Sequence, residues 1–506
     1  MTTQDPARSH SALSSAAVWT EADKRAWHLG YRSLESEVDE RELVVHGVLP
    51  PELAGTLHRV GPARHEVHGD RYRHWFDGDG MVHSIALANG RARYQNRFVR
   101  TAGSQAEQAA ARRLFPGFGT RGAGNAVDRF LHRLPKNTAN TNVVFHAGKL
   151  LALWEGGRPH VLDPVTLATE GEDDLGGLLG PLDAASAHPK YELSTGSLWN
   201  FGVDYRGRHP RLHLYETDAR ARTTRVATVT MPFGALVHDF AITRTKAVFV
   251  LPPVTLPRVP LGMLFGQRSF CESLRWRPEL GTRIAIVDLR TGETRWVTTQ
   301  SMMLFHTINA WDDSDGGIVL DVCAYPDATV LRTLSEVMDQ AGVPTPARGW
   351  PERLRITTKG VRVETVSSAR LARSSLEFPR VAPGCLGREH TRAYGISWPE
   401  GDQYLGTPTA IDASGSVETH AMPPGAFAGE LVPVRKQGGT SEREVWLLSL
   451  VLDARRERTE LWVLDGGDLR APPVARVLLP HVVPFGFHGN WSAAGAGQLS
   501  SVRSGG

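Results

Sequence analysis

Cysteine is scarce in this chain: Cys271, Cys323 and Cys385 are all there is in 506 residues. They are odd in number, far apart and never arranged as CxxC, which argues against a disulfide framework or a thiolate metal site. Long apolar runs are missing too. No stretch approaches the ~18 apolar residues that a transmembrane helix needs. Segment 1–17, rich in Ser, Thr and Ala, lacks the apolar centre of a signal peptide. Nor is there an excess of one charge: 57 basic residues stand against 54 acidic ones, a net +3. No basic stripe with interleaved aromatics offers a surface for nucleic acid. Catalytic signatures of the GxSxG, HExxH and Walker kinds are also absent. These absences predict a cytoplasmic protein of a reducing compartment, without nucleic-acid partners.

What the chain does have is β-rich runs punctuated by turns. From residue 42 onward they recur at 43–48, 82–87, 143–154, 226–231, 247–251, 284–287, 318–322, 361–366, 446–452 and 460–464, separated by Gly, Asp, Asn and Pro. Asn89-Gly90 is one such turn signal. Many short strands with few long helices predict an all-β fold. The phrases 162–167 and 287–292 read as one strand–turn–strand unit used twice, a weak internal repetition of the propeller kind. Apolar residues make up 41% of the chain, enough for one large core. A propeller can take a chain of this length as a single domain, so the expected organisation is tails at 1–20 and 497–506 around one domain, 21–496.

The exceptions to strand patterning are few. Segment 21–31 reads as a short helix and 104–114 as the clearest one. The GxGxxG match at 117–122 follows a helix where a dinucleotide site needs a strand, so it is assigned to a loop. Segment 251–266, apolar and Pro-rich without periodicity, is either a connection packed on the core or an exposed lip for a greasy substrate or a membrane surface. Asp77 and Asp79 lack the further oxygen ligands of a calcium loop. Segment 74–83 reads as a tight hairpin turning at Asp-Gly-Asp-Gly, and His65, His68 and His74 as surface-loop residues.

Four histidines stand in similar short contexts: Ala187-His188-Pro189, Val237-His238-Asp239, Phe305-His306-Thr307 and Phe487-His488-Gly489. Each separation is compatible with a different blade, and a propeller brings inner strands from distant positions to one axis. Spacing alone does not single out this quartet from 20 histidines, most of which serve as surface or hydrogen-bonded structural residues. Further stretches add to the pattern. They are Gly61-Pro62, His74-Trp75-Phe76-Asp77-Gly78-Asp79-Gly80, Asn137-Thr138-Ala139-Asn140, Leu153-Trp154-Glu155-Gly156-Gly157, Leu376-Glu377-Phe378-Pro379-Arg380, Gly429-Glu430-Leu431-Val432-Pro433 and Pro484-Phe485-Gly486-Phe487-His488-Gly489. In this order, over residues 43–491, the chain resembles the carotenoid cleavage oxygenases.

The resemblance implies a seven-bladed β-propeller with a helical and loop cap over an axial metal site. It implies one Fe(2+) per chain, held by His188, His238, His306 and His488, with O2 as co-substrate. Neutral imidazole suits Fe(II), and four nitrogens leave up to two positions open. Metal-bound histidines usually donate the other N–H to a carboxylate or carbonyl, and Glu155, Glu377 and Glu430 match the family's three glutamates. The implied reaction is oxidative cleavage of a conjugated C=C bond in an apocarotenoid or carotenoid. Within the family, stilbene or phenylpropene cleavage and a retinoid isomerohydrolase are alternatives; outside it, a metal-free propeller scaffold is another. A stilbene substrate calls for a phenol anchor, typically Tyr and Lys. Phe98 stands where that branch usually has Tyr, and Lys136 could supply the other anchor, so both are candidate substrate contacts. The partners expected are a hydrophobic small molecule and a membrane surface met peripherally through 251–266.

Overall fold

Short strands with one apolar face are too small to be stable alone and must stack. In the computed structural model they stack as seven antiparallel sheets of four to six strands. The structure describes residues 26–493 except 208, 258, 260, 339–346, 360–361 and 399–405. Both expected tails therefore lie outside the described residues, as do residues 21–25 of the helix expected over 21–31; its end is a short helical turn at His28–Tyr31.

The innermost strands are Gly489–Ala493, Asn142–His146, Lys190–Glu192, Phe240–Ile242, Met303–Asp312, Glu377–Val381 and Val432–Arg435. From Phe240–Ile242 through Met303–Asp312, Glu377–Val381, Val432–Arg435 and Gly489–Ala493 to Asn142–His146, each inner strand touches the next around the axis. Apolar clusters fill the space between blades: Phe201, Leu212 and Leu214 of one meet Phe240, Phe249 and Val287 of the next. The two chain ends share in closing the ring. Val45–Gly47 forms the outer edge of the last blade, with Val45 opposite Val477. Gly489–Ala493 forms the inner edge of the first, with Trp491 opposite Leu57.

Local chemistry explains the turns. Asn89 and Gly90 both have positive φ, 52° and 74°, the backbone that a two-residue hairpin demands. Asp163 Oδ1 accepts from the N–H groups of Val165 and Thr166, and Asp288 Oδ1 accepts from those of Arg290 and Thr291. The two phrases read as one unit thus share one turn.

Other expectations need correction. Segment 143–154 is two strands, Asn142–His146 and Lys149–Leu153, because Ala147 and Gly148 also take positive φ and reverse the chain. The helix spans Ala102–Ala110, starting earlier because Thr101 Oγ1 accepts from Ser104 N, and stopping at a left-handed Ala111. There is no hairpin at 74–83: Trp75–Asp77 is a helical turn and Asp79 already opens the strand Asp79–Ala88. His65 and His74 are buried rather than on a surface loop. The GxGxxG segment is a loop, tied down by Asp77, whose carboxylate accepts from Phe118 N and Thr120 Oγ1.

Candidate metal centre

Three of the four histidines sit in the loop just before an inner strand: His188 before Lys190–Glu192, His238 before Phe240–Ile242, and His488 before Gly489–Ala493. His306 lies within Met303–Asp312, where the pairing with the next strand slips between Leu304 and Thr307. Such irregularities re-aim a side chain, and this one coincides with His306. Glycine permits the approach at His488. A Cβ on Gly489 would lie 2.3 Å from the His58 carbonyl oxygen, and one on Gly486 would lie 2.9 Å from that of Val60.

The four imidazoles converge. One nitrogen from each lies within 4.8 Å of the others, and the Nε2 atoms of His188 and His238 are 2.9 Å apart. Nitrogens about 2.1 Å from one ion and at right angles to each other would be about 3 Å apart. His306 Nε2 is buried with no hydrogen-bond partner, a costly state for a polar atom that a cation would relieve. Borderline nitrogen donors suit a divalent transition metal. The donor set and the orphaned nitrogen both fit iron.

Behind three of the rings stand carboxylates. His238 Nδ1 donates to Glu155 at 2.6 Å, His306 Nδ1 to Glu377 at 2.5 Å, and His488 Nδ1 to Glu430 at 2.8 Å. Each bond fixes the tautomer that points Nε2 at the axis. Among the described residues, His188 has no such carboxylate. Burial and the neighbouring imidazoles push His188 well below the ordinary histidine value, and burial pushes His488 down to about 4. Burial opposes charge on His238 as well, but Glu155 outweighs it and raises that ring. For Glu430, burial favours the neutral acid, yet Arg380, His488 and Arg59 hold its carboxyl well below the usual range. The backbone is strained beside this cluster: Phe378, next to Glu377, has φ 49°, and its ring lies 5.5 Å from His306 and 5.3 Å from His488.

A cavity of about 1150 Å3 opens on the centre, with His238, His306, His488 and all three glutamates in its wall. Aromatic side chains recur along the remaining wall, among them Trp75, Phe76, Phe118, Trp154, Phe305 and Phe487. The helical turns His28–Tyr31 and Trp75–Asp77, helix Thr329–Glu336 and loops between blades supply part of it.

The two expected substrate contacts lie elsewhere. Phe98 packs with Leu34, Ala63 and Met81 and carries the Arg64 guanidinium 3.9 Å over its ring; neither it nor Lys136 lines the cavity. Lys136 is buried, with Nζ 2.6 Å from Asp79 and 2.6 Å from Glu107. It is neither a phenol anchor nor a surface lysine.

Of segment 251–266, residues 251–254 are buried, and only its later part, with Val259, Leu261 and Phe265, is exposed. It adjoins a second exposed apolar stretch, Val127, Phe130, Leu131 and Leu134, that the sequence reading missed; Gly266 lies against Arg129. Leu134 and Met263 reach the cavity wall. The helix carrying the second stretch, Ala126–Leu131, is too short to show a periodic signal. Also missed were Arg59, Arg380 and Tyr325, which touch the backing carboxylates.

Seven blades around four converging imidazoles, three of them backed by carboxylates, define a propeller whose axis offers a site for a transition metal. The family model described as retinal pigment epithelial membrane protein matches residues 31–493. Apocarotenoid-15,15'-oxygenase of Synechocystis sp. is 35% identical over 92% of this chain and 96% of its own. Resveratrol cleavage oxygenase 1 of Aspergillus fumigatus and isoeugenol monooxygenase of Pseudomonas nitroreducens are each 28% identical over 90% of this chain, covering 93% and 95% of their own. The crystal structure of the cobalt-substituted Synechocystis enzyme superposes with a TM-score of 0.85 at 33% identity, over 93% of this chain and 99% of that one. The chain belongs to the retinal pigment epithelial membrane protein family, the carotenoid cleavage oxygenases.

Proposed function

We propose that this protein is a non-haem Fe(II) oxygenase that cleaves a conjugated C=C bond of an apocarotenoid with O2, giving two carbonyl products. The observation that carries this reading is the aromatic cavity ending on the four-histidine cluster. His188, His238, His306 and His488 would hold the iron, and Glu155, Glu377 and Glu430 would orient three of them. When bound, the iron supplies the redox chemistry that lets O2 react with an alkene. An alkene plus O2 balances two carbonyl compounds without reductant or net proton. The chain then needs no general acid or base; its aromatic walls exclude water and hold the polyene by shape. Metal-free scaffolding gives no reason to bury three carboxylate-backed imidazoles.

The substrate class rests on polar groups. Phe98 and Lys136 lie outside the cavity, and the Tyr325 and Tyr205 hydroxyls already donate to Glu377 and to the Ala235 carbonyl. A phenol would find these donors engaged, whereas a polyene asks for none. Iron-loaded protein should convert apocarotenals to shorter carbonyl products by chromatography, with O2 consumed. Intact apocarotenals beside cleaved resveratrol or isoeugenol would transfer the assignment to the stilbene branch. Turnover without O2 uptake would transfer it to the isomerohydrolase branch.

The exposed apolar rim, Val127, Phe130, Leu131 and Leu134 with Val259, Leu261 and Phe265, would rest on the lipid that stores such a substrate. No helix among the described residues is long and apolar enough to cross a membrane, so contact would be peripheral. Phe265→Asp combined with Leu131→Asp should reduce co-sedimentation with liposomes severalfold. Equal sedimentation of this variant and wild type would remove the rim from membrane contact.

A further inference from the structure

The three backing carboxylates differ in what else they hold. Among the described residues Glu155 accepts from His238 alone. Glu377 accepts from His306 and also from the Tyr325 hydroxyl, at 2.6 Å, and the Phe378 N–H. Glu430 is clamped. Arg59 pairs with its Oε2, Arg380 Nε donates to its Oε1 at 2.9 Å, and Gly489 N–H donates to Oε2 at 3.0 Å. Both guanidiniums are themselves fixed on the His488 loop. Arg59 donates to the Phe487 carbonyl at 2.9 Å and Arg380 to the Gly489 carbonyl at 2.8 Å. Glu430 thus faces two cations and one imidazole, with its side chain 1% exposed.

A carboxylate that accepts an imidazole N–H makes that ring a stronger donor to a metal. Charge shared with guanidinium is withdrawn from the imidazole, so the three backed rings form a graded series. His238, on an uncompensated carboxylate, donates most strongly. His306, whose glutamate shares its charge with a neutral hydroxyl, comes next. His488 donates most weakly. Strong donors favour the ferric over the ferrous state, and hydrogen bonding around the ligands is one lever on potential.

We propose that Arg59 and Arg380 are positioning residues that weaken donation from His488 through Glu430, raising the potential of the bound iron and holding it ferrous in the presence of O2. Tyr325 acts in the same direction, more weakly, through Glu377. The inference rests on the iron reading above, but its test reads the metal rather than the reaction.

The test is an anaerobic redox titration of iron-loaded wild type, Arg380→Gln, Arg380→Lys and Tyr325→Phe, following the ferric fraction by electron paramagnetic resonance. Arg380→Gln should favour the ferric state about tenfold, a fall of about 59 mV for one electron. Tyr325→Phe should fall in the same direction by less, and Arg380→Lys, which keeps the charge, should stay near wild type. Arg353→Gln removes a cation paired with Asp321 rather than with a backing carboxylate and should leave the potential in place. An unmoved potential in Arg380→Gln overturns the proposal, as does an equal fall in Arg353→Gln. If Arg380→Gln does not fold, Tyr325→Phe decides by its sign. Wild-type protein that takes up no iron defeats the metal reading and this inference together. Iron bound at an unmoved potential defeats the inference alone.

Discussion

His238→Ala should purify without iron and refuse Fe(II) on reconstitution, while its far-UV circular dichroism keeps the wild-type β signal. The side chain lies on the cavity wall, in the loop ahead of Phe240–Ile242, and does not fill the space between blades. Its loss therefore removes a donor without opening a void in the apolar core. The three nitrogens left would also lose the ring held by Glu155 at 2.6 Å. Glu377→Gln is the graded companion. The amide keeps the shape but loses the charge behind His306, and changes of this kind typically cost 10–100-fold in metal affinity or activity. Iron content of His238→Ala matching wild type would take His238 out of the donor set; wild-type behaviour of Glu377→Gln would show that its bond to His306 is inconsequential.

Lys136→Met should cost about 3–5 kcal/mol of stability, the usual penalty for removing one partner of a buried ion pair. Methionine fills the stem's volume but leaves Asp79 and Glu107, both at most 2% exposed in their side chains, without their shared cation. Glu107 would keep Tyr72, whose hydroxyl donates at 2.6 Å, and the Leu114 N–H, but both go to Oε1 and leave Oε2, which accepts from Lys136, bare. In the wild type, burial pushes the Glu107 carboxyl upward but Lys136 and these donors outweigh it, so it titrates below its ordinary value. Its contribution is therefore fully present above that ordinary value and is lost as pH falls through the lowered one. The variant reverses the sign: with the cation gone, a proton on Glu107 relieves a bare charge. Its deficit in urea midpoint should narrow between pH 8 and pH 5. A deficit under about 1 kcal/mol, the range of exposed pairs, would mean that Lys136 is a solvated pair after all.

Lys136 also marks where sequence reasoning stops. Turn chemistry is local, so Asn89-Gly90 and the paired Asp163 and Asp288 turns are legible from neighbouring residues. The histidine contexts were legible because each sits in a short phrase of its own, and resemblance supplied their common destination. What could not be read is which distant groups share a buried site. Nothing near Lys136 in sequence announces Glu107 and Asp79, and nothing near Arg59 announces Glu430. Burial of His74 likewise depends on the loop 117–122 folding over it: a Cβ on Gly119 would meet the His74 ring at 2.4 Å. The single β-rich run read over 143–154 also needed dividing: it holds two strands of one hairpin, and His146-Ala147-Gly148-Lys149 marks the reversal.

The closure of the ring sets an order of events during synthesis. His488 enters the axis on a strand that belongs to the first blade but is translated after all the others. Until that strand docks beside Gly55–Arg64, a nascent chain offers a trident of nitrogens and an unpaired sheet edge. The four-nitrogen site is therefore complete only once that strand has docked, and a chain broken before residue 488 would lack one of the four donors and leave the seam open.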